Sequence, residues 1–140
     1  MAIKMRVLHK GKGKIPALAT AIHQDFQLNV NAIDTILPAY PLNNERLTIL
    51  LLSTKGEFEE KITRFFREFD KAHTQNVALV IDGGEAAAEK VKNLLTAAGT
   101  NVIDDVLYVK NSFLPFLNAL KDEEKAAALA WAHRIVDGLQ

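Results

Sequence analysis

The 140-residue chain predicts an α/β domain, a parallel sheet covered by helices on both faces. Strand-like and helix-like segments alternate along its length, the pattern of a sheet wound with crossover helices. Leu47 to Leu52 (LTILLL) and Val77 to Ile81 (VALVI) are nearly unbroken apolar runs, as expected of strands buried on both faces. Glycine-containing loops follow three of the strand-like segments, at residues 9–15, 53–57 and 82–85.

The elements follow in order. Ile3 to Leu8 reads as a strand, with Ile3, Met5 and Val7 alternating with Lys4 and Arg6. From Ile15 the period changes, and Ile15, Leu18, Ala19, Ile22 and Phe26 fall on one helical face. Pro16 suits a first helical turn, where its missing N–H costs nothing. Residues 28–37 form a weaker strand around Val30, Ile33 and Ile36, and Pro38, Pro41 and Asn43-Asn44 mark a loop. After LTILLL, the spacing of Phe58, Ile62, Phe65, Phe66 and Phe69 predicts a second amphipathic helix. VALVI ends at Asp82-Gly83-Gly84. Ala87, Val91, Leu94, Leu95 and Ala98 predict a third helix closed by Gly99 at C′. Asn101 to Val109 reads as a fifth strand. Asp122 is placed to N-cap a last helix whose face carries Leu129, Ala132, Ile135 or Val136, and Leu139.

Composition excludes several classes. There are no cysteines, so disulfides, thiolate metal sites and cysteine nucleophiles are absent. Seventeen basic and seventeen acidic residues balance, leaving no global field for nucleic acid or an anionic membrane. No apolar run approaches a membrane span, and MAIKMRVL lacks the apolar core of a secretory signal. The expectation is a single soluble, cytoplasmic domain with no nucleic-acid or membrane partner.

In open α/β sheets, ligands sit at the carboxyl ends of the strands. The lysine–glycine stretch Lys10-Gly11-Lys12-Gly13-Lys14-Ile15 lies at one such end. It is either a phosphate-binding turn or a solvated basic loop. Asp82 either contacts a ligand there or, the favoured reading, caps the following helix. His9, His23, His73 and His133 have no metal-ligand spacing, and Ser53 lacks a nucleophile-elbow context. Asp104-Asp105 and Asp122-Glu123-Glu124 read as solvated faces or helix starts, and Trp131 as packing. Lys4 and Arg6 imply a partly open strand face or acidic partners elsewhere.

Over essentially its whole length the chain resembles a short-chain flavodoxin. LLLSTKGEFEEKITRFF is similar to the flavodoxin third strand with the loop and helix that follow, and NVALVIDGGEAAAEKVKNLLTAAGTNVID to the fourth strand, its loop and the next helix. The resemblance implies a flavodoxin-like three-layer α/β/α sandwich with a five-stranded parallel sheet in the order 2-1-3-4-5, one domain over residues 1–140. It also implies FMN. The phosphate would lie at Lys10, Gly11, Lys12, Gly13, Lys14 and Ile15, and the ring between Ser53, Thr54, Lys55 and Gly56 and the Asp82, Gly83 and Gly84 loop. Gly56 falls where a flavodoxin peptide flips to hydrogen-bond the reduced ring.

Two departures accompany the likeness. Gly13 matches the family glycine, but the family's three hydroxyl positions fall on Lys10, Lys12 and Ile15. Flavodoxins are typically strongly acidic, and this chain is neutral. The function implied is an FMN-binding electron carrier with a redox protein partner. The alternative is a flavin-free module that uses the same rim for another anion or a protein.

Overall fold

A computed structural model of the chain describes residues 4–11, 13–26, 30–35, 42, 44–53, 60–110 and 120–139. Strands β1 (Met5–Lys10), β2 (Val30–Thr35), β3 (Leu47–Ser53) and β4 (Asn76–Asp82) are followed by two short strands, β5 (Asn101–Val102) and β6 (Leu107–Val109). The helices are α1 (Lys14–Asp25), α2 (Glu60–Phe66), α3 (Glu85–Ala98) and α4 (Asp122–Leu139). Among the described residues no helix is long and apolar enough to cross a membrane.

The sheet runs β2-β1-β3-β4-β5, and every pairing is parallel. The predicted fifth strand is interrupted. β5 pairs with Asn76 and Val77 of β4, and β6 pairs with Val80, Ile81 and Asp82 further along it. Residues 78–79 of β4 therefore face residues 103–106, too many to stay in register, and the strand breaks there. Asp104 and Asp105 sit in this break, exposed, and pair with Lys92 and Arg134.

Alternation along the strands sorts the apolar side chains into two cores. Met5, Val7, Leu47, Ile49, Leu51, Ala78 and Val80 pack with α1 and α4 on one face. Leu8, Leu50, Leu52, Val77, Leu79 and Ile81 pack with α2 and α3 on the other. This is the predicted three-layer arrangement. Each fully buried aliphatic side chain contributes about 1.5–3 kcal/mol. β3 and β4 carry such residues on both faces, so they are the centre of the fold.

Several boundaries differ from expectation. β1 extends through Lys10, so Lys10 is a strand residue paired with Leu52 rather than part of the loop. Phe69 lies beyond α2 but is still buried, edge-on to Phe65 at 5.0 Å and Phe66 at 6.0 Å. Phe58, Ile36, Pro38, Pro41 and Asn43 lie outside the described residues. Asp122 is the first residue of α4 and not its cap. Instead Glu124 accepts from the backbone N–H of Lys121 at 3.2 Å, half of a capping box. Gly99 closes α3 in a left-handed conformation, with φ 117°. Trp131 is buried against the first core and donates from Nε1 to the Asp105 carbonyl at 2.7 Å.

The alternating cations of β1 have acidic company. Glu45 is buried just before β3, with its carboxylate 3.5 Å from Arg6 and 3.8 Å from Lys4. This network lies at the amino end of the sheet, opposite the loops that follow the strands. Nearby, Arg46 ties the C-terminal helix down by donating to the Leu139 carbonyl at 2.6 Å and to Gln75 at 2.9 Å.

Removing one partner of a buried ion pair leaves the other charge desolvated, at a cost of about 3–5 kcal/mol. Glu45→Ala should lower unfolding stability on that scale in urea titrations. Arg6→Met/Glu45→Met, which removes both charges, should lose distinctly less. Equal losses would show that the pair's electrostatics are not what holds this end.

Candidate functional site

At the carboxyl end of the sheet Gly11 and the last residues of β3 and β4 are drawn together by short contacts. Gly11 has φ +151°, and a Cβ on it would stand only 2.7 Å from the Ser53 Cβ. A glycine is needed there for both reasons, and it lets the loop after β1 lean on the end of β3. Ser53 and Asp82 are register partners across β3 and β4. The Ser53 hydroxyl donates to Asp82 Oδ2 at 3.0 Å.

That bond corrects the reading of Asp82 as a helix cap. Asp82 is the last residue of β4, nearly fully buried, and directed across to β3. The cap position of α3 is taken by Gly84, with φ 91° and no side-chain cap. A Cβ at Gly84 would meet nothing within 4 Å, so the backbone is open to close approach.

Beside these residues opens a cleft of about 780 Å³, within the size range of small-molecule sites. Its floor is Asp82, Gly83 and Gly84. Leu107, Tyr108 and Lys110 form one wall at the end of β6, and Lys14, Glu124 and Ala127 form the other. Tyr108 is the large hydrophobic side chain left open among the described residues, at 44% exposure.

The Lys14 wall is an ion pair. Lys14 Nζ lies 2.8 Å from Glu124 Oε2, joining the first turns of α1 and α4. The Lys14 side chain is only 12% exposed. The hydrogen bond from Lys14 holds the Glu124 carboxyl below the ordinary glutamate range, against the opposing effect of burial. Glu124 therefore stays ionised at neutral pH.

No protein-family model matches the sequence, and no curated protein matches it. Solved structures do. A short-chain flavodoxin associated with a bacterial microcompartment superposes with a TM-score of 0.68 at 13% identity, covering 100% of both chains. A flavodoxin from the domain Archaea gives 0.66 at 14% identity, over 98% of this chain and 99% of that one. Oxidised Flavodoxin 2 from Bacillus cereus gives 0.62 at 17% identity, over 94% and 99%.

The chain has the flavodoxin-like fold.

A flavodoxin-like site needs two things, room for a flat ring and a cradle for its phosphate. The described residues fit the first. The cleft has the volume, Tyr108 offers an aromatic face, and Gly84 offers open backbone. They do not fit the second. No hydroxyl stands at Lys10 or Ile15, Pro16 removes a backbone donor from the first turn of α1, and Lys14 is bound to a carboxylate.

The structure brings Gly11, Ser53, Asp82, Gly83 and Gly84 to one edge, with Lys10 at the end of β1. Gly13 caps α1 with φ 64°, and Ile15 is fully buried in the core. Lys12, Thr54, Lys55 and Gly56 lie outside the described residues. No group of three histidine, aspartate or glutamate side chains gathers to hold a metal among the described residues. His73 pairs with Asp70 at 2.7 Å, and His133 with Asp25.

Sequence reading missed Tyr108, Lys110 and Glu124 as members of the site. An aromatic two residues before a lysine at the end of the fifth strand is a weak signal. Glu124 gave none, because its partner is 110 residues away.

A carboxyl with a depressed folded pKa contributes stability above its ordinary value and loses it as pH falls through the lowered one. The Lys14–Glu124 tie should therefore hold at neutral pH and fail only in acid, below the ordinary glutamate range. Lys14→Met should raise the Glu124 titration midpoint to that range or above, read by side-chain carboxyl NMR. A midpoint unmoved by the substitution would contradict the assigned cause.

Proposed function

We propose that this chain is a flavin-binding redox protein, with the isoalloxazine ring seated in the cleft at the carboxyl end of the sheet. One observation carries the reading: a cleft of about 780 Å³ combines an open aromatic face, Tyr108, with exposed glycine backbone at Gly83 and Gly84. A flat heteroaromatic packs on an aromatic side chain in offset or edge geometry. Close-approaching peptide groups can then pair with the polar edge of the ring. Asp82, held by the Ser53 hydroxyl, supplies a further polar group at the floor.

When bound, a flavin supplies one- or two-electron transfer, and the protein supplies position and electrostatics. Here Tyr108 would fix the ring plane, Gly83 and Gly84 would hold its edge, and the apolar side chains of Leu107 and Ala127 would limit water. The neutral net charge of the chain gives little long-range steering, so a redox protein partner would be selected by contacts near the cleft. Thr54, Lys55 and Gly56 are proposed to complete the opposite side of the ring.

A second reading has its own observation. The Lys14–Glu124 pair engages the lysine at the start of α1, beside the turn where a flavodoxin phosphate would lie. A flavin-free module would present this rim to a protein partner instead.

The two readings separate on flavin titration of the purified protein, following flavin fluorescence with riboflavin and with FMN. The flavin reading expects stoichiometric, saturable quenching by at least one of them. Tyr108→Ala should weaken it about 5- to 150-fold, the range of about 1–3 kcal/mol measured for aromatic stacking on a base. Fluorescence left untouched by both flavins would exclude the redox reading and leave the flavin-free one.

A further inference from the structure

We infer that α4 sets both walls of the cleft, and that Trp131 and Arg134 are positioning residues that hold the Tyr108 wall through Asp105. The ligand this wall serves rests on the flavin reading above; the anchor itself does not. Glu124, Ala127, Trp131 and Arg134 recur at intervals of three, four and three residues along α4, so they form one stripe on its surface. The first two line the cleft directly. The second two reach Asp105, in the segment between β5 and β6. The Trp131 indole Nε1 donates to the Asp105 backbone carbonyl at 2.7 Å, and Arg134 Nε donates to the Asp105 carboxylate at 2.7 Å. Asp105 is thereby held by both its main chain and its side chain. Leu107, Tyr108 and Lys110 of the opposite wall follow within five residues.

Among the described residues, little else fixes β6. It is three residues long, at the short limit for a strand, and β4 is its one described strand neighbour. Leu107 and Val109 are only partly buried against the first core, and Tyr108 is open to solvent. Segments with few buried contacts open locally at low free energy. Pairing with β4 also breaks between β5 and β6, so β5 does not carry register through to the wall. Lys92 on α3 meets Asp104 at 3.4 Å, but that carboxylate is almost fully exposed, where an ion pair contributes little. Trp131 is buried in the first core, so its N–H is a fixed donor. One helix therefore runs from Glu124 on one wall to the anchor of the other. The seven residues from Glu124 to Trp131 span about 10 Å of helix rise, which fixes the separation of the two attachments.

The test pairs amide hydrogen exchange with flavin titration of the full chain. Trp131→Phe keeps a ring in the core and removes the N–H donor. The β6 amides that pair with β4 should then exchange faster, with those of β3 unchanged. Flavin binding should weaken about 2- to 13-fold, bounded by the net worth of one hydrogen bond. Arg134→Ala leaves the core untouched and should act in the same direction, by up to about 5-fold. In a Tyr108→Ala background both substitutions should change affinity little further, because they act through that ring; a general packing role would add its full effect. Unchanged β6 exchange in both variants, a rise shared equally by β3, or full additivity with Tyr108→Ala would overturn the inference and leave the flavin reading standing. Faster β6 exchange with flavin affinity unmoved would overturn the positioning role. A chain that binds no flavin would remove the flavin reading. The exchange comparison would then judge the anchor alone, faster β6 exchange upholding it and unchanged exchange overturning it.

Discussion

Burial of β3 and β4 on both faces is the constraint from which the rest of the structure follows. Leu47 to Leu52 and Val77 to Ile81 lose their surfaces to α1 and α4 on one side and to α2 and α3 on the other. Strands of this kind have no solvated face on which to display chemistry. Polar groups are therefore pushed to the strand ends, and the two ends are used differently. At the amino end, Glu45 gathers Arg6 and Lys4 into an ion-pair network that is structural. At the carboxyl end, the strands finish in Lys10, Ser53 and Asp82, followed where described by glycines, and a cleft opens.

The flavodoxin-like fold makes that end the place for a ligand, but the residues set its chemistry, since one fold hosts many functions. The Lys14–Glu124 pair is where fold and chemistry part. In position, Lys14 begins the helix over which a phosphate would lie. In contact, it ties α1 to α4 and brings an acid to that helix start. The same bond thus joins the last helix to the first at the rim of the cleft. An open aromatic side chain and exposed glycine backbone line that cleft.

Much of this was legible in sequence because it rests on local periodicity. The apolar runs at 47–52 and 77–81, the helical spacing from Ile15 to Phe26 and the left-handed stop at Gly99 each follow from neighbours in the chain. The parts that were not legible depend on distant partners. Asp82 next to two glycines reads as a cap, yet register places Ser53 beside it and the hydroxyl takes its carboxylate. Arg6 in a buried strand is intelligible only once Glu45 is found against it. The break between β5 and β6 follows from register with β4 and not from any breaker residue. Glu124 in an acidic run at a helix start gives no sign of Lys14 at the far end of the chain.

The location of ligand binding is best tested by NMR, comparing backbone amide spectra of the labelled chain with and without riboflavin. Binding in the cleft predicts that the largest shifts fall on Gly83, Gly84, Tyr108 and Lys110, with Glu45, Arg46 and Gln75 at the opposite end unmoved. Shifts centred on the amino end, or spread evenly over the sheet, would contradict the placement of the site.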